Sequence, residues 1–214
     1  MSGKNLDGFL AVARSVAAHC GIPESSVHTL GKKFLTLPGF YRPIKNWDVV
    51  VVHNYRLLAA IEFKSHAGPS FGNNFNNRCE EALGNVTDLR AAYEKGIYHP
   101  ERHKAAGLNS DLPDPRSPFL GYLMLLEECE GSTKTVKADS PHYFLDPQFE
   151  GSSYADRYKI FCERLMSRRL YESASLILSP SSRSEPGEWR ALSDATDPKA
   201  LFASFAAQLL SAQA

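Results

Sequence analysis

Cysteine is scarce in this chain, and its placement excludes two common kinds of small domain. The 214 residues include only Cys20, Cys79, Cys129 and Cys162, and no two of these form a Cys-x-x-Cys pair. A zinc ribbon and a disulfide-stapled scaffold both need closely paired cysteines, so neither fits this spacing. Because so few cysteines favour a reducing compartment, we expect a cytoplasmic protein.

Long apolar runs and an excess of one charge are also missing. No apolar run reaches the ~18 residues that a transmembrane helix needs, so we expect no membrane span. Lysine and arginine together number 24, as do aspartate and glutamate, and the formal net charge is zero. This balance argues against a nonspecific DNA-coating protein, but it is compatible with a nucleic-acid enzyme that separates a basic groove from an acidic site.

Several catalytic signatures are absent as well. The chain has no Gly-x-Ser-x-Gly sequence, no Walker-type loop and no dinucleotide-binding fingerprint. Its length suits one domain, and its 43% of hydrophobic residues can form a substantial core. We therefore expect a single domain over residues 1–214, with a core at about 6–178 and a C-terminal helix at about 199–212.

The hydrophobic pattern predicts eight main elements in the order helix, strand, strand, helix, strand, helix, strand, helix. They cover residues 7–19, 48–52, 57–64, 77–95, 119–126, 154–171, 175–178 and 199–210. The close spacing of the first two strands predicts an antiparallel hairpin. Residues 65–77 and 96–117 are predicted to be loops. This order indicates an α/β fold in which helices flank a central mixed sheet.

Two acids and a lysine are predicted to meet on the first two strands. Glu62 and Lys64 point to the same face, because side chains alternate along a strand. In the hairpin, Asp48 lies about one cross-strand neighbour from Glu62. Paired carboxylates suit Mg²⁺, which also takes water and phosphate oxygens as ligands. Lys64 could then orient a nucleophile and stabilise charge on a phosphate.

A solvated strand edge can contain the same three residues by chance. Two features favour the catalytic interpretation. Residues 59–61 are apolar and directly precede Glu62 and Lys64, so the two charged residues lie near the end of a strand that is otherwise expected to be buried. The segment that follows, residues 68–78, also has an unusual composition. Glu80 or Glu81 is an alternative third acid near a metal, although both also suit a helix start. His66 is expected to be a solvated loop residue.

Asparagine dominates the segment after the second strand. Four asparagines and one arginine occupy five of the six positions 73–78, which lead into the predicted helix. Asparagine can form two hydrogen bonds with adenine, and arginine can form two with guanine. Asparagine also supplies turns and helix caps, so both interpretations stay open. The DNA-binding candidates are Ser70, Asn73, Asn74, Asn76, Asn77 and Arg78, with Arg42 and Lys45 as candidates for gripping the DNA backbone.

Several stretches resemble the XhoI family of type II restriction endonucleases, part of the wider PD-(D/E)xK nuclease group. The matching stretches are 37–43, 47–48, 60–65, 68–81, 121–123, 125–127 and 153–158. The resemblance implies a restriction-endonuclease-like core, with Asp48 and Glu62 as the metal-binding acids and Lys64 as the catalytic lysine. Trp47 stands where the wider group usually has proline, which agrees with the XhoI-like pattern.

The resemblance also implies a function. It implies Mg²⁺-dependent hydrolysis of double-stranded DNA at the palindrome CTCGAG, within a restriction–modification system that includes a DNA methyltransferase. Because a two-fold symmetric dimer reads a palindrome, we expect a homodimer. The alternatives are a structure-specific repair or junction nuclease on the same core, and a DNA-binding protein that does not cleave. The intact set of two acids and a lysine counts against the non-cleaving alternative.

Overall fold

The computed structural model describes residues 6–99, 117–180 and 187–213. Two layers of helices enclose a sheet. The strands are β1 (Val27–His28), β2 (Thr36–Pro38), β3 (Ile44–Asn46), β4 (Val49–His53), β5 (Arg56–His66), β6 (Phe119–Glu128) and β7 (Ser173–Pro180). The helices are α1 (Asp7–His19), α2 (Phe71–Glu94), α3 (Glu130–Thr133), α4 (Tyr154–Ser167) and α5 (Pro198–Ser211).

The main sheet has the strand order β1-β4-β5-β6-β7 and mixes both strand directions. β4 pairs antiparallel with β1 and β5, whereas β5, β6 and β7 run parallel. Helix α2 lies between β5 and β6 in the chain, and α4 lies between β6 and β7, as parallel crossovers require. The predicted hairpin is confirmed, and so is the α/β fold with helices around a mixed sheet.

Alternate residues of the inner strands are buried on opposite faces of the sheet. Ala60 and Tyr122 lie in the core that packs against α2 and α4. Ile61 and Leu123 lie in the core that packs against α1 and α5. Because both faces are covered, these strands are continuous apolar runs in the sequence. Glu62 follows Ile61 and therefore belongs to the α2–α4 face.

The loop predicted over residues 65–77 is wrong. β5 continues through His66, and α2 begins at Phe71, six residues before the predicted start. The Phe71 ring lies 4.6 Å from the His66 ring, and Phe75, one turn later, lies 4.9 Å from the Tyr158 ring. This aromatic packing holds the asparagine-rich turns in a helix, although asparagine has a low helix propensity.

One other predicted region differs from its expected form. The irregular approach to the first long strand contains the short hairpin of β2 and β3, in which Leu37 pairs with Lys45. Residues 100–116 of the loop predicted over 96–117 lie outside the described residues. None of the described helices is both long and apolar enough to cross a membrane.

The predicted C-terminal helix is confirmed as α5. Its start is fixed by Asp197, whose carboxylate accepts a hydrogen bond of 2.7 Å from the Lys199 amide, and by Pro198 in the first turn. Leu201, Phe205 and Leu209 are fully buried in the α1–α5 core. The spacing of these three residues by four explains why the helix presents one apolar stripe to the sheet.

Candidate active site

Asp48 and Glu62 are brought together by the pairing of β4 with β5. The Asp48 amide donates to the Ile61 carbonyl at 3.1 Å, and Val49 pairs with Ile61, so Asp48 lies beside Glu62 across the two strands. The Asp48 carboxylate accepts a 2.7 Å hydrogen bond from the Phe63 amide. Burial raises the pKa of Asp48, and the negative charge of Glu62 raises it further. The two predicted acids are therefore close enough to repel each other.

Glu62 is a buried carboxylate held by two lysines. The residue is 1% exposed. One of its oxygens lies 2.7 Å from Lys45 Nζ, and the other forms an ion pair with Lys64. Lys45 reaches this position from β3, and its Nζ lies 5.0 Å from the centroid of the Trp47 ring. Such a buried charge is tolerated only when it is paired, and both carboxylate oxygens have a cationic partner here.

Helix α2 extends this arrangement of charges. Lys64 Nζ lies 3.8 Å from the carboxylate of Glu81, which also accepts a 2.6 Å hydrogen bond from Arg78. The charges therefore alternate from Lys45 through Glu62, Lys64 and Glu81 to Arg78. Within the described residues, one buried side-chain nitrogen or oxygen has no hydrogen-bond partner, and it is Arg78 Nε. The predicted recognition segment and the predicted catalytic lysine are thus joined through Glu81.

The two acids fit a hard divalent cation. Across the part of the chain that the structure describes, no three His, Cys, Asp or Glu side chains are grouped to hold a metal ion. Mg²⁺ needs fewer protein ligands, because it commonly binds one or two carboxylates together with water and substrate phosphates. A cation between Asp48 and Glu62 would also offset the repulsion that raises the pKa of Asp48.

The predicted DNA-binding side chains lie at the start of α2, with different surroundings. Ser70 is the N-cap residue, and its side chain makes no capping hydrogen bond. Asn73, Asn76 and Asn77 are exposed. Asn74 is turned toward the protein, where its Nδ2 lies 3.3 Å from Nε2 of His66. Contact between these residues and DNA stays a prediction.

His66 is buried, so the expectation of a solvated loop residue is wrong. It is the last residue of β5 and is 4% exposed. Its Nδ1 lies 3.0 Å from the hydroxyl of Tyr158, which comes from α4. Burial and, to a smaller extent, the positive charge of nearby Arg78 lower the pKa of His66 to about 4. His66 is therefore a neutral link between β5, α4 and the start of α2.

The Arg42 side chain is held by hydrogen bonds to two residues of α2. Its Nε donates to Asp88 at 2.8 Å, and its terminal nitrogen donates to Asn85 at 2.7 Å. Contact between Arg42 and the DNA backbone, like that of Lys45, stays a prediction. Sequence reasoning did not find Asn85 and Asp88, because a polar residue beside the apolar stripe of a helix is usually solvent-facing. Both are 4% exposed in the structure.

Comparisons with known proteins give one consistent result. A family profile described as restriction endonuclease XhoI matches residues 1–191 of this chain. The type II restriction enzyme XhoI of Xanthomonas vasicola is 43% identical over 183 residues, which cover 86% of this chain and 68% of that protein. The type II restriction enzyme BstVI of Geobacillus stearothermophilus is 45% identical over 182 residues, which cover 83% of this chain and 74% of that protein.

A third relative matches over a shorter stretch. The type II restriction enzyme AbrI of Azospirillum brasilense is 43% identical over 140 residues, which cover 65% of this chain and 56% of that protein. No solved structure matches the chain. The family profile includes the strands with Asp48 and Glu62 and the whole of α2, and it ends before α5.

Proposed function

We propose that this chain, which belongs to the XhoI family of type II restriction endonucleases, cleaves duplex DNA with Mg²⁺ at a palindromic site. CTCGAG is the proposed site, because it is the target implied by the resemblance to that family. The observation that carries the proposal is the convergence of Asp48, Glu62 and Lys64 on two neighbouring strands.

In this proposal Asp48 and Glu62 hold the metal ion. When bound, Mg²⁺ supplies positive charge that stabilises the negative charge developing on the phosphate oxygens. Lys64 contributes a second positive charge, with which it can position the attacking water and contact the scissile phosphate. Lys45, the other lysine on Glu62, is well placed to neutralise a neighbouring phosphate. The two lysines thus balance the charge of the acids and attract the DNA backbone.

The start of α2 is the proposed reading element. Asn73, Asn76 and Asn77 are exposed there, and their amide groups can both donate to and accept from base edges. Arg78 supports this assignment, because its buried Nε has no acceptor among the described residues and a guanidinium can bond guanine twice. Ser70 and Asn74 belong to the same segment and would position it against the DNA.

A palindromic target requires two matched sites. We propose that the chain acts as a homodimer in which each copy presents one set of acids to one strand. We also propose that a DNA methyltransferase of the same specificity protects the host genome. That partnership is functional, since both enzymes act on the same sequence and need no contact with each other.

Digestion of a fully sequenced plasmid with Mg²⁺, followed by mapping of the ends, tests the proposal. We expect discrete staggered ends at one hexanucleotide, and no cleavage in EDTA. Protein with Asp48→Asn, purified in parallel, controls for contaminating nucleases. Nicks that follow branched or damaged DNA would instead support a structure-specific nuclease. Binding without cleavage under several divalent metals would support a DNA-binding protein that does not cut.

A further inference from the structure

The segment that leads to Asp48 is positively charged, although the whole chain is neutral. Residues 25–47 contain four basic residues, Lys32, Lys33, Arg42 and Lys45, and no aspartate or glutamate. Chain-wide, basic and acidic residues are equal in number. The segment ends at the candidate active site, because Lys45 contacts Glu62. Arg42 and Lys45 are paired with Asp88 and Glu62, so the exposed Lys32 and Lys33 supply most of the charge with which the segment can attract a polyanion.

Two aromatic side chains are exposed at the tip of the β2–β3 hairpin. We define this hairpin tip as residues 39–43. Phe40 is 45% exposed and Tyr41 is 72% exposed, and their rings meet edge to face with centroids 4.9 Å apart. Ile44, directly after the tip, is 60% exposed. Adjacent exposed aromatic and aliphatic side chains of this kind are typical of a contact surface.

Asp88 of α2 fixes the backbone of the hairpin tip. Its buried carboxylate accepts hydrogen bonds from the amides of Phe40 at 2.8 Å and Tyr41 at 2.7 Å, and from Arg42 at 2.8 Å. A Cβ atom at Gly39 would lie 2.3 Å from the same carboxylate, so a larger residue would break the arrangement. The aromatic pair is therefore presented by a preorganised backbone, which lowers the entropy cost of binding.

The hairpin tip lies close to the candidate active site. Pro38 and Ile44 form the last pair of the hairpin, one residue beyond the pair of Leu37 with Lys45. At ~3.3 Å per residue, the tip begins within about 10 Å of the residue that contacts Glu62. That distance corresponds to about three base steps of duplex DNA at ~3.4 Å each. The tip is therefore within reach of a duplex positioned at the acids.

We propose that the hairpin tip is a second DNA-binding element, in which Tyr41 and Phe40 insert at a base step beside the cleaved bond. Aromatic and other apolar side chains of DNA-binding proteins stack on unstacked bases and kink the duplex in this way. Lys32 and Lys33 accompany them by contacting phosphates. This inference rests on the proposed function, since it takes duplex DNA rather than a second copy of the chain as the partner.

The affinity of Tyr41→Ala for a duplex that carries the mapped site tests the inference. The assay uses Ca²⁺ in place of Mg²⁺, with 2-aminopurine placed at each step around the site. We expect Tyr41→Ala to bind about 5- to 140-fold more weakly, because base stacking on an aromatic ring is worth about 1–3 kcal/mol. The slope of affinity against salt should not change, because tyrosine carries no charge. The fluorescence increase of one unstacked 2-aminopurine should be lost.

Two further variants separate stacking from other effects. Tyr41→Trp keeps an aromatic ring and should retain the binding and the fluorescence signal. Tyr55→Ala removes an exposed aromatic ring at the far end of β5, about 20 Å from Glu62 at ~3.3 Å per residue, and should behave as wild type. A double Lys32→Gln, Lys33→Gln variant should instead reduce the salt slope by about 2.

Three results would contradict the inference. Wild-type affinity and fluorescence in Tyr41→Ala would place base stacking elsewhere. A change of Tyr41→Ala from dimer to monomer at unchanged affinity per site would assign the aromatic pair to an interface between copies. Absence of site-specific cleavage by the wild-type protein would refute the proposed function itself, and digestion of the sequenced plasmid with wild-type protein in Mg²⁺ shows this independently of Tyr41.

Discussion

The two faces of the central sheet differ in what they bury. The face toward α1 and α5 packs apolar side chains such as Val51, Ile61 and Phe205. The face toward α2 and α4 has an equally apolar interior, but Glu62, His66 and Asp88 are also buried on that side. The α1–α5 layer therefore packs on an apolar core, while the α2–α4 layer packs on a core that also holds buried ionisable side chains. Variants on the two faces should differ accordingly.

A large loss of cleavage rate is expected from variants on the charged face. Lys64→Ala should reduce the cleavage rate about 100- to 1,000-fold, because it removes a positive charge aimed at the developing negative charge of the phosphate. DNA affinity should change little. Single-turnover cleavage and equilibrium binding measure the two quantities. Lys199→Ala, an exposed lysine of α5, is the matched control. If binding collapsed along with cleavage, Lys64 would be a DNA anchor and not a catalytic group.

The apolar face should show the opposite pattern. Phe205→Ala should lower the free energy of unfolding by about 3–5 kcal/mol, because the ring is fully buried against Phe119 with centroids 5.6 Å apart. Cleavage per folded molecule should stay at the wild-type value. Urea denaturation gives the stability, and activity is normalised to the folded fraction. A loss below 1 kcal/mol, or a lower rate in fully folded protein, would show that the faces are not separate in this way.

A smaller effect is expected from the pH dependence of stability. The pKa of His66 is lowered to about 4 in the folded protein, compared with about 6.5 in the unfolded chain. The neutral imidazole therefore contributes its full stabilisation above about pH 6.5, and this stabilisation is lost as the pH falls through 4. The loss should be on the order of 2 kcal/mol, since charging a buried imidazole is unfavourable. In His66→Phe the slope of stability against pH over this window should be shallower. Equal slopes in the two proteins would assign the acid sensitivity to other groups.

The smallest effect concerns the repulsion between the two acids. Asp48→Asn in EDTA at neutral pH should be as stable as wild type or more stable by up to about 1 kcal/mol, because it removes one of two neighbouring negative charges. Asparagine can still accept the hydrogen bond from the Phe63 amide. Thermal denaturation of the two proteins measures the difference. A large loss of stability would mean that Asp48 is mainly structural.

Much of the fold could be predicted from the sequence because its elements are strongly patterned. The continuous apolar runs of β4 and β6 and the apolar stripe of α1 agree with the observed elements. The start of α2 could not be predicted in the same way. Its first two turns are rich in asparagine, and they are packed through Phe71 against His66 at the end of β5 and through Phe75 against Tyr158 of α4, contacts that no local pattern reveals.

Some features of the candidate site could likewise be predicted from local sequence, and others could not. The proximity of Asp48 to Glu62 follows from strand alternation and one hairpin, both of which are local. The position of Asp88 depends on a contact between elements that are far apart in the sequence, and that of Lys45 depends on how the short β2–β3 hairpin packs beside β5. Lys45 reaches Glu62 through a separate small sheet, and Asp88 binds the hairpin tip across more than 40 residues. No local pattern encodes such contacts.

Single-turnover cleavage by Glu62→Gln tests most directly whether the paired acids are the catalytic centre. Glutamine has the size of glutamate, and its one amide oxygen can still accept a hydrogen bond from Lys45 or from Lys64, so the overall fold should be kept. With saturating protein and a duplex that carries the mapped site, we expect the Mg²⁺-dependent rate to fall at least about 1,000-fold. Cleavage at the wild-type rate by correctly folded Glu62→Gln would contradict the assignment.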